Sequence, residues 1–212
     1  MSKTVAVIDY GMGNLHSIAK ALEHADPSAR VEVTADPTHI LSAGHVVFPG
    51  VGAIRDCMHE LDSTGLRDVV LRAAEQRPFL GICLGMQAML GHSAENGGVA
   101  TLGLIPGEVR YFGDDLTDTA GNRLKVPHMG WNQVAQIAHP LWAGIDDGTR
   151  FYFVHSYFAD PPDVAHRAGM SEYGHAFTAA IARDNLFGVQ FHPEKSQKAG
   201  LKLLANFLAW NE

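Results

Sequence analysis

Short apolar runs alternate with helical periods through the first half of this chain. Residues Thr4–Ile8 are typical of a strand buried on both faces of a parallel sheet, and Leu15–Ala25 carries apolar side chains at helical spacing. We also predict strands at 31–34, 45–48 and 79–82, the second of them stopped by Pro49, and a helix at Leu66–Gln76. Alternation of this kind predicts an α/β fold with a central, mostly parallel sheet flanked by helices.

The second half, from about Gly103 to Asp184, has a different pattern. Short β-like runs at 109–111, 150–154 and 177–182 are separated by turn clusters, which predicts an antiparallel extension of the same sheet. A last buried strand at 186–191 and a helix from Lys195 to Trp210 close the chain. Because 212 residues suffice for one well-packed α/β unit and are few for two, we expect residues 1–212 to form a single domain.

Charge and cysteine content exclude several classes of protein. The net charge is −7 and the 16 basic residues form no run, so the sequence lacks the footprint of a nucleic-acid-binding protein. No window approaches the roughly 20 apolar residues of a membrane-spanning helix, and the N-terminus has no signal-peptide pattern. Two cysteines form no disulfide framework in a chain of this size. We therefore expect a cytoplasmic protein.

The stretch GICLG, residues 81–85, places Cys83 between two glycines where a strand gives way to a helix. A glycine-flanked nucleophile at such a turn stands exposed above the sheet, and the glycines let the backbone bend sharply. The amides at the start of the following helix favour the reactive thiolate. A small buried cysteine in a tight βα turn would give the same pentapeptide, so this motif alone leaves both interpretations open.

The stretch FHPE, residues 191–194, follows the last predicted strand. Pro193 disfavours a helix at His192 and should keep the segment extended, which would put His192 and Glu194 on the same side of the chain. A glutamate beside a histidine can fix its tautomer, as a nucleophile–base–orienter triad requires. Taken alone, this motif is ambiguous, since any of the 12 histidines could lie on the surface.

The stretch VVFPGVG, residues 46–52, ends a buried strand in a glycine-rich loop. Such a loop can turn its backbone amides toward a neighbouring strand end, where parallel sheets place their sites. An ordinary βα turn would have the same composition.

Together, PGVG, GICLGMQ and FHPE occur in the order found in the class I (triad) glutamine amidotransferases, and the chain resembles that family over nearly its whole length. IDYGMGNLHSI (8–18), VPHMGWN (126–132) and FYFVHSY (151–157) narrow the resemblance to the glutaminases of imidazole glycerol phosphate synthase. The resemblance implies that Cys83 attacks the side-chain amide of glutamine while His192 moves protons and Glu194 orients it. The oxyanion hole would use the backbone N–H groups of Val51, Gly52 and Leu84, and glutamine would be held by Gln87, Ser156 and Tyr157.

The resemblance also implies a partner. Ammonia would pass to a (β/α)₈-barrel cyclase subunit, forming a heterodimer that makes imidazole glycerol phosphate and aminoimidazole carboxamide ribotide in histidine biosynthesis. Asn14, Trp131 and Lys195 would face that cyclase. We expect the oxyanion hole to be incomplete in the lone subunit until the Pro49–Gly52 backbone reorients on partner and ligand binding. No cofactor or metal is expected, because no His/Cys/Asp cluster has metal-ligand spacing.

Three alternatives remain open from the sequence. The glutaminases of pyridoxal phosphate, anthranilate and carbamoyl phosphate synthesis share the triad, so only the narrower motifs argue against them. A non-catalytic regulatory subunit is disfavoured by the intact triad residues. A cysteine peptidase of related architecture would cleave peptides instead of releasing ammonia from glutamine. His128 and His155 lie in the family-like motifs, and the sequence leaves open whether they do more than pack or cap.

Overall fold

Parallel strands form the centre of the molecule, as the alternating pattern predicts. The computed structural model describes residues 3–211, and the first half contains β1 (Thr4–Ile8), α1 (Leu15–Ala25), β2 (Arg30–Thr34), α2 (Pro37–Ser42), β3 (His45–Gly50), α3 (Ile54–Ser63), α4 (Leu66–Gln76), β4 (Phe79–Cys83) and α5 (Leu84–Ala88). The strands lie in the order β2-β1-β3-β4 and are parallel. The predicted α/β fold is confirmed.

The second half extends this sheet with mostly antiparallel strands. Its elements are β5 (His92–Ser93), β6 (Val99–Ala100), β7 (Glu108–Tyr111), β8 (His128–Gln133), β9 (Ala135–Gln136), β10 (Arg150–His155), β11 (Tyr157–Asp160), β12 (Arg167–Tyr173), β13 (His175–Arg183), β14 (Leu186–Val189) and α6 (Gln197–Ala209). Strand β14 pairs parallel to β4 and antiparallel to β13, which leads on to β11 and β7. Strands β8 and β10 form a separate antiparallel pair. The predicted extension is confirmed.

Helices cover both faces of the parallel half. Helices α1 and α6 contact each other on one face, where Ile18, Leu22, Leu204 and Phe207 are buried in one apolar cluster. Helices α2, α3 and α4 cover the other face, where a second cluster contains Ile40, Cys57 and Val70. Burial on both faces explains why the central strands are apolar at successive positions and do not alternate.

Several boundaries differ from those predicted. Strand β3 does not stop at Pro49 but continues through Gly50, which pairs with Cys83 on β4. Proline is tolerated there because the pairing of β3 with β1 ends at Val47, so no ladder hydrogen bond is needed from Pro49 on that side. The last strand ends at Val189, and helix α6 begins only at Gln197, after a 3₁₀ turn at Pro193–Lys195.

The sheet order brings three distant parts of the sequence to one edge. Strand β4 lies between β3 and β14, and all three run in the same direction. Their carboxyl ends carry the PGVG loop, Cys83 and the segment that leads to His192. This edge is where ligands bind in open α/β sheets.

Candidate active site

Cys83 takes the sharp bend between β4 and α5 on its own backbone. Its φ of 55° and ψ of −108° lie in a region that non-glycine residues rarely occupy, and such strain is concentrated at functional sites. The flanking glycines have a different role from the one predicted, because neither adopts a positive φ. A Cβ on Gly85 would collide with the carbonyl oxygen of Phe48, and one on Gly81 would lie 2.5 Å from Met89 Sδ. The glycines therefore permit close packing around a strained cysteine.

The helix that follows Cys83 is short. Helix α5 contains only five residues, so the dipole effect that we predict on the thiol is small. Specific neighbours matter more: the Sγ–H group of Cys83 faces the carbonyl oxygen of Val154 at 4.0 Å, and Nε2 of Gln190 lies 3.7 Å from the sulfur.

His192 and Glu194 form a buried ion pair beside Cys83. Nδ1 of His192 lies 2.8 Å from Oε1 of Glu194, and the two side chains are only 3% and 1% exposed. The predicted extended conformation is confirmed at His192, whose φ is −101° and ψ is 98°, but it is wrong at Glu194, which lies in the 3₁₀ turn Pro193–Lys195. The turn nevertheless folds the carboxylate back onto the imidazole. Because Nδ1 is engaged, the other ring nitrogen, Nε2, is left buried and without a hydrogen-bond partner among the described residues.

The pKa of His192 is raised to about 9 although burial by itself lowers it. Interactions with the Cys83 sulfur and with the Glu194 carboxylate outweigh the desolvation and favour the imidazolium. A protonated His192 next to Cys83 stabilises a thiolate, which is the nucleophilic form of cysteine. His192 is therefore placed to act as an acid beside the cysteine.

A cavity of about 300 Å³ opens above Cys83. It is lined by all six residues that the sequence predicts for the oxyanion hole and for glutamine binding, and by both Cys83 and His192; these lining residues are Val51, Gly52, Cys83, Leu84, Gln87, Ser156, Tyr157 and His192. Val51 is 41% exposed and Gly52 has a φ of +95°, a conformation that favours glycine. The structure thus brings the predicted residues together in one place.

Sequence reasoning missed two polar residues around this cavity. Gln190 directly precedes Phe191 of the FHPE motif, and its side chain accepts a hydrogen bond from Nε2 of Gln87 at 3.0 Å. Glu95 lines the cavity from a distant loop, and its Oε2 accepts a hydrogen bond at 3.0 Å from the backbone N–H of Ile54 at the start of α3. Neither role has a local signal, because the partners lie 103 and 41 positions away in sequence.

His128 and His155 are a buried, hydrogen-bonded pair behind the cavity wall. The carbonyl oxygen of Tyr157, 2.8 Å from Nδ1 of His155, can only accept, so Nδ1 of His155 carries the proton. Its Nε2 must then accept from Nδ1 of His128 at 2.9 Å. Burial lowers the pKa of His128 to about 4 and that of His155 to about 3, so both are neutral at pH 7. Both therefore contribute more than packing, because they fix the Tyr157 carbonyl at the cavity.

The three residues predicted for the partner interface lie on the surface. Trp131 is 44% exposed on β8, beside Met129, which is 62% exposed. Its ring lies 6.0 Å from that of Tyr152, over which Nζ of the exposed Lys195 is also placed at 6.0 Å. Asn14 is exposed at the start of α1, a helix that contacts the turn containing Lys195.

Tyr152 also connects this surface to the site. Its carbonyl oxygen accepts a hydrogen bond from the backbone N–H of His192 at 2.9 Å. The ring of Tyr152 therefore lies beside Trp131 and Lys195, while its backbone is hydrogen-bonded directly to His192.

Features of metal-binding and membrane-spanning proteins are absent from the described residues. Within residues 3–211, no group of three His, Cys, Asp or Glu side chains is placed to hold a metal ion. None of the helices in this part of the chain has the length and apolar character needed to cross a membrane.

The chain is similar to known proteins over nearly its whole length. A family model described as glutamine amidotransferase class-I matches residues 6–210. An imidazole glycerol phosphate synthase subunit HisH from Methylococcus capsulatus is 63% identical over 209 residues, covering 98% of this chain and 96% of the relative. The subunit of the same name from Thiobacillus denitrificans is 59% identical over 213 residues, covering 100% of this chain and 93% of the relative.

Solved structures share the fold at low sequence identity. A crystal structure described as a glutamine amidotransferase superimposes with a TM-score of 0.70 at 14% identity and covers 97% of this chain and 99% of that one. A chain of the PurLQS structure from Thermotoga maritima gives a TM-score of 0.70 at 18% identity, covering 99% of both chains. At such identities the likeness bears on the fold alone.

Proposed function

Because this chain belongs to the class I glutamine amidotransferase family, we propose that it is the glutaminase subunit of imidazole glycerol phosphate synthase. The observation that carries this proposal is the full-length identity to relatives that bear that subunit's name. The narrower motifs around Asn14, Trp131 and His155 support this enzyme over the other triad glutaminases. The whole chain, residues 1–212, would form the amidotransferase domain.

Catalysis begins with the Cys83 thiolate. The sulfur attacks the side-chain amide carbon of glutamine, forming a C–S bond and a tetrahedral oxyanion. Glu194 accepts a hydrogen bond from the Nδ1–H group of His192 at 2.8 Å. This bond directs Nε2, the nitrogen without a partner among the described residues, toward the reacting groups. His192 Nε2 then protonates the departing nitrogen, the C–N bond breaks and ammonia leaves. Water then attacks the γ-glutamyl thioester while His192 Nε2 accepts its proton. The C–S bond breaks, glutamate leaves, and the Cys83 thiolate is restored beside protonated His192.

The oxyanion would be met by backbone N–H groups at the two strand ends. Leu84 follows Cys83 directly, and Val51 and Gly52 lie beyond Gly50, whose register partner is Cys83. Loss of one such donor lowers rates by roughly 100- to 1000-fold in other enzymes. The exposed Val51 and the positive φ of Gly52 suit a loop that reorients when a partner binds.

The substrate would be held by polar residues that line the cavity. Gln87, Ser156 and Tyr157 line the cavity, and Gln87 is fixed by a hydrogen bond from its Nε2 to the carbonyl oxygen of Tyr157 at 3.0 Å. These residues line the same cavity as Cys83, where the α-amino and α-carboxylate groups of glutamine would need polar partners.

The partner would be a cyclase subunit with a (β/α)₈ barrel, forming a heterodimer. Ammonia released into water would be protonated and lost, so a glutaminase of this kind needs an acceptor enzyme beside it. Asn14, Trp131 and Lys195 would form part of the contact, and the exposed indole of Trp131 next to Met129 is typical of interface anchors. We place the heterodimer in the cytoplasm, which agrees with two cysteines that are both free.

The test is ammonia release from glutamine by the purified chain. It would be measured alone, with the candidate cyclase, and with the cyclase and its ligand. Cys83→Ala should abolish release, while Cys57→Ala, which changes the other, fully buried cysteine, should retain it.

Activity that requires the ligand-bound cyclase and Cys83 would support every part of the proposal. Activity that ignores the cyclase would keep the glutaminase and reject this partner. Absence of release under all conditions would favour the non-catalytic alternative.

A further inference from the structure

A buried chain of amide groups runs from the cavity wall to the nucleophile. Gln190 is fully buried, directly after β14, and Nε2 of its side chain lies 3.7 Å from Sγ of Cys83. Its backbone N–H is tied to the carbonyl oxygen of Ala179 at 2.8 Å, so the side chain starts from a fixed point in the sheet. The triad mechanism described above makes no use of this residue.

The orientation of the Gln190 amide follows from its neighbours. The Tyr157 carbonyl can only accept, so Gln87 must present its NH₂ group there, at 3.0 Å. The second N–H of the same group donates to Gln190 at 3.0 Å, and Gln190 must therefore present Oε1 to Gln87. Its NH₂ group is left facing Cys83. The amide cannot flip without placing two donors against each other.

A donor aimed at sulfur acts differently on the two protonation states of Cys83. A thiol is a weak acceptor, whereas a thiolate is charged, and hydrogen bonds to charged groups are about twice as strong as neutral ones. The carbonyl oxygen of Val154, 4.0 Å from the sulfur, has the opposite effect, because it can accept from S–H but repels a thiolate. Gln190 is buried, so water does not compete for its N–H.

We propose that Gln190 is a fourth residue of the catalytic machinery, whose side-chain N–H donates to Cys83 and stabilises the thiolate. Gln87 and the Tyr157 carbonyl are positioning groups for this donor, and His155 in turn holds the carbonyl through Nδ1 at 2.8 Å. The proposal rests on the proposed glutaminase function and adds a residue to it.

Titratable groups surround the same sulfur from several elements. Tyr10 follows β1, His155 ends β10, His192 and Glu194 follow β14, and Glu95 lies across the cavity. Gln190 differs from all of them in being uncharged at every pH, so its effect shifts the titration of Cys83 without adding a titration of its own.

The test is the pH dependence of Cys83 alkylation by iodoacetamide, followed by mass spectrometry of the peptide that carries Cys83. Glutamine and partner are absent. In Gln190→Met, which keeps the volume but removes the donor, the alkylation midpoint should rise by about one pH unit, a roughly tenfold loss of thiolate below the midpoint. In Gln190→Glu one carboxylate oxygen can still accept from Gln87, while the other faces the sulfur, donates nothing and repels the thiolate, so the midpoint should rise further than in Gln190→Met.

Gln136→Met is the matched control. Gln136 lies on β9, and its side-chain Nε2 donates to the Asp146 carbonyl oxygen at 2.7 Å, so the variant removes an amide donor outside the cavity lining. It should leave the midpoint unchanged. Thermal unfolding checks that each variant is folded, and if Gln190→Met does not fold, Gln190→Leu, which also lacks a donor and adds no charge, takes its place.

Unchanged midpoints in the Gln190 variants would overturn the proposal, and so would a shift in Gln190→Met without one in Gln190→Glu, which would assign the effect to packing. Failure of the glutaminase function would show separately, as absence of ammonia release by the unmodified chain, and leaves this readout intact.

Discussion

Acidification should destabilise this protein through the buried pair His128 and His155. The two residues are 3% and 6% exposed, and burial lowers their pKa values to about 4 and about 3, against 6.5 for an ordinary histidine. Between pH 6.5 and these lower pKa values, both histidines are protonated in the unfolded chain and neutral in the folded chain. The free energy of unfolding must therefore fall as the pH drops below 6.5.

The magnitude follows from the same values. Going from pH 7 to pH 5, protonation of each histidine stabilises the unfolded state by about 2 kcal/mol relative to the folded state, or about 4 kcal/mol for the pair. His192 acts in the opposite direction, because a pKa raised to about 9 contributes stability that is complete below 6.5 and is lost as the pH rises through 9. Between pH 7 and pH 5, protonation of His192 stabilises the folded state relative to the unfolded state by about 1 kcal/mol. We therefore expect a net loss of about 3 kcal/mol, to which His45 and His139, whose pKa values burial also lowers, add in the same direction.

Urea unfolding at several pH values between 5 and 7.5 measures this slope. His128→Phe keeps an aromatic ring between Phe153 and Tyr173, on which His128 stacks at centroid distances of 5.0 and 4.1 Å, but removes one titrating group. Its slope between pH 5 and 6 should be smaller than that of the unmodified chain by about one proton, or about 1.4 kcal/mol per pH unit. Phe177→Leu is a control that lowers stability in the same cluster without removing a titrating group, and its slope should be unchanged. Equal slopes for His128→Phe and the unmodified chain would refute the reasoning.

Three further predictions concern the edge of the sheet and the surface beside it. Gly85→Ala should cost about 3 kcal/mol or more of stability, because its Cβ would collide with the backbone of Phe48, whereas Gly91→Ala, whose Cβ meets its nearest atom at 3.5 Å, should change the unfolding temperature little. Tyr10→Phe should cost about 1–3 kcal/mol in urea unfolding, since it leaves the Pro49 carbonyl oxygen without its buried hydrogen bond of 2.8 Å; an unchanged stability would mean that this carbonyl finds another donor. Trp131→Ala should weaken binding of the cyclase at least tenfold in calorimetry while leaving Cys83 alkylation unchanged, and unaltered affinity would remove Trp131 from the interface.

The parts of the fold that depend on local sequence were predictable. Thr4–Ile8, Leu15–Ala25 and Leu66–Gln76 have the predicted bounds, because their apolar periodicity and their flanking breaks all agree. Helix α2 was missed although a signal existed: Asp36 caps it by accepting from the N–H of Thr38 at 2.7 Å, just before Pro37 in the first turn. Two-residue strands such as β9 have no pattern of their own and depend on the strand with which they pair.

The candidate site divides in the same way. Motifs located Cys83, His192 and Glu194, because each belongs to a short run with its own backbone chemistry. The backbone strain at Cys83 could not be read from the sequence. The reason for glycine at 81 and 85 could not be read either, because it lies in Met89 and Phe48, which approach from other elements. Gln190 was overlooked for a similar reason: its significance comes from Gln87, whose side chain it meets only after β14 has paired with β4.

Strand β14 is the last strand of the chain but lies in the interior of the sheet, between β4 and β13. A nascent chain on the ribosome that ends before Leu186 leaves the edge of β4 unpaired, and an unpaired edge can pair with strands of other chains. Such a chain also lacks Gln190 and His192. Cys83 is therefore synthesised about a hundred residues before Gln190 and His192, the groups that we propose make it reactive. On the proposed mechanism, an unfinished chain that ends before His192 would hold the nucleophile without its base and would not hydrolyse glutamine.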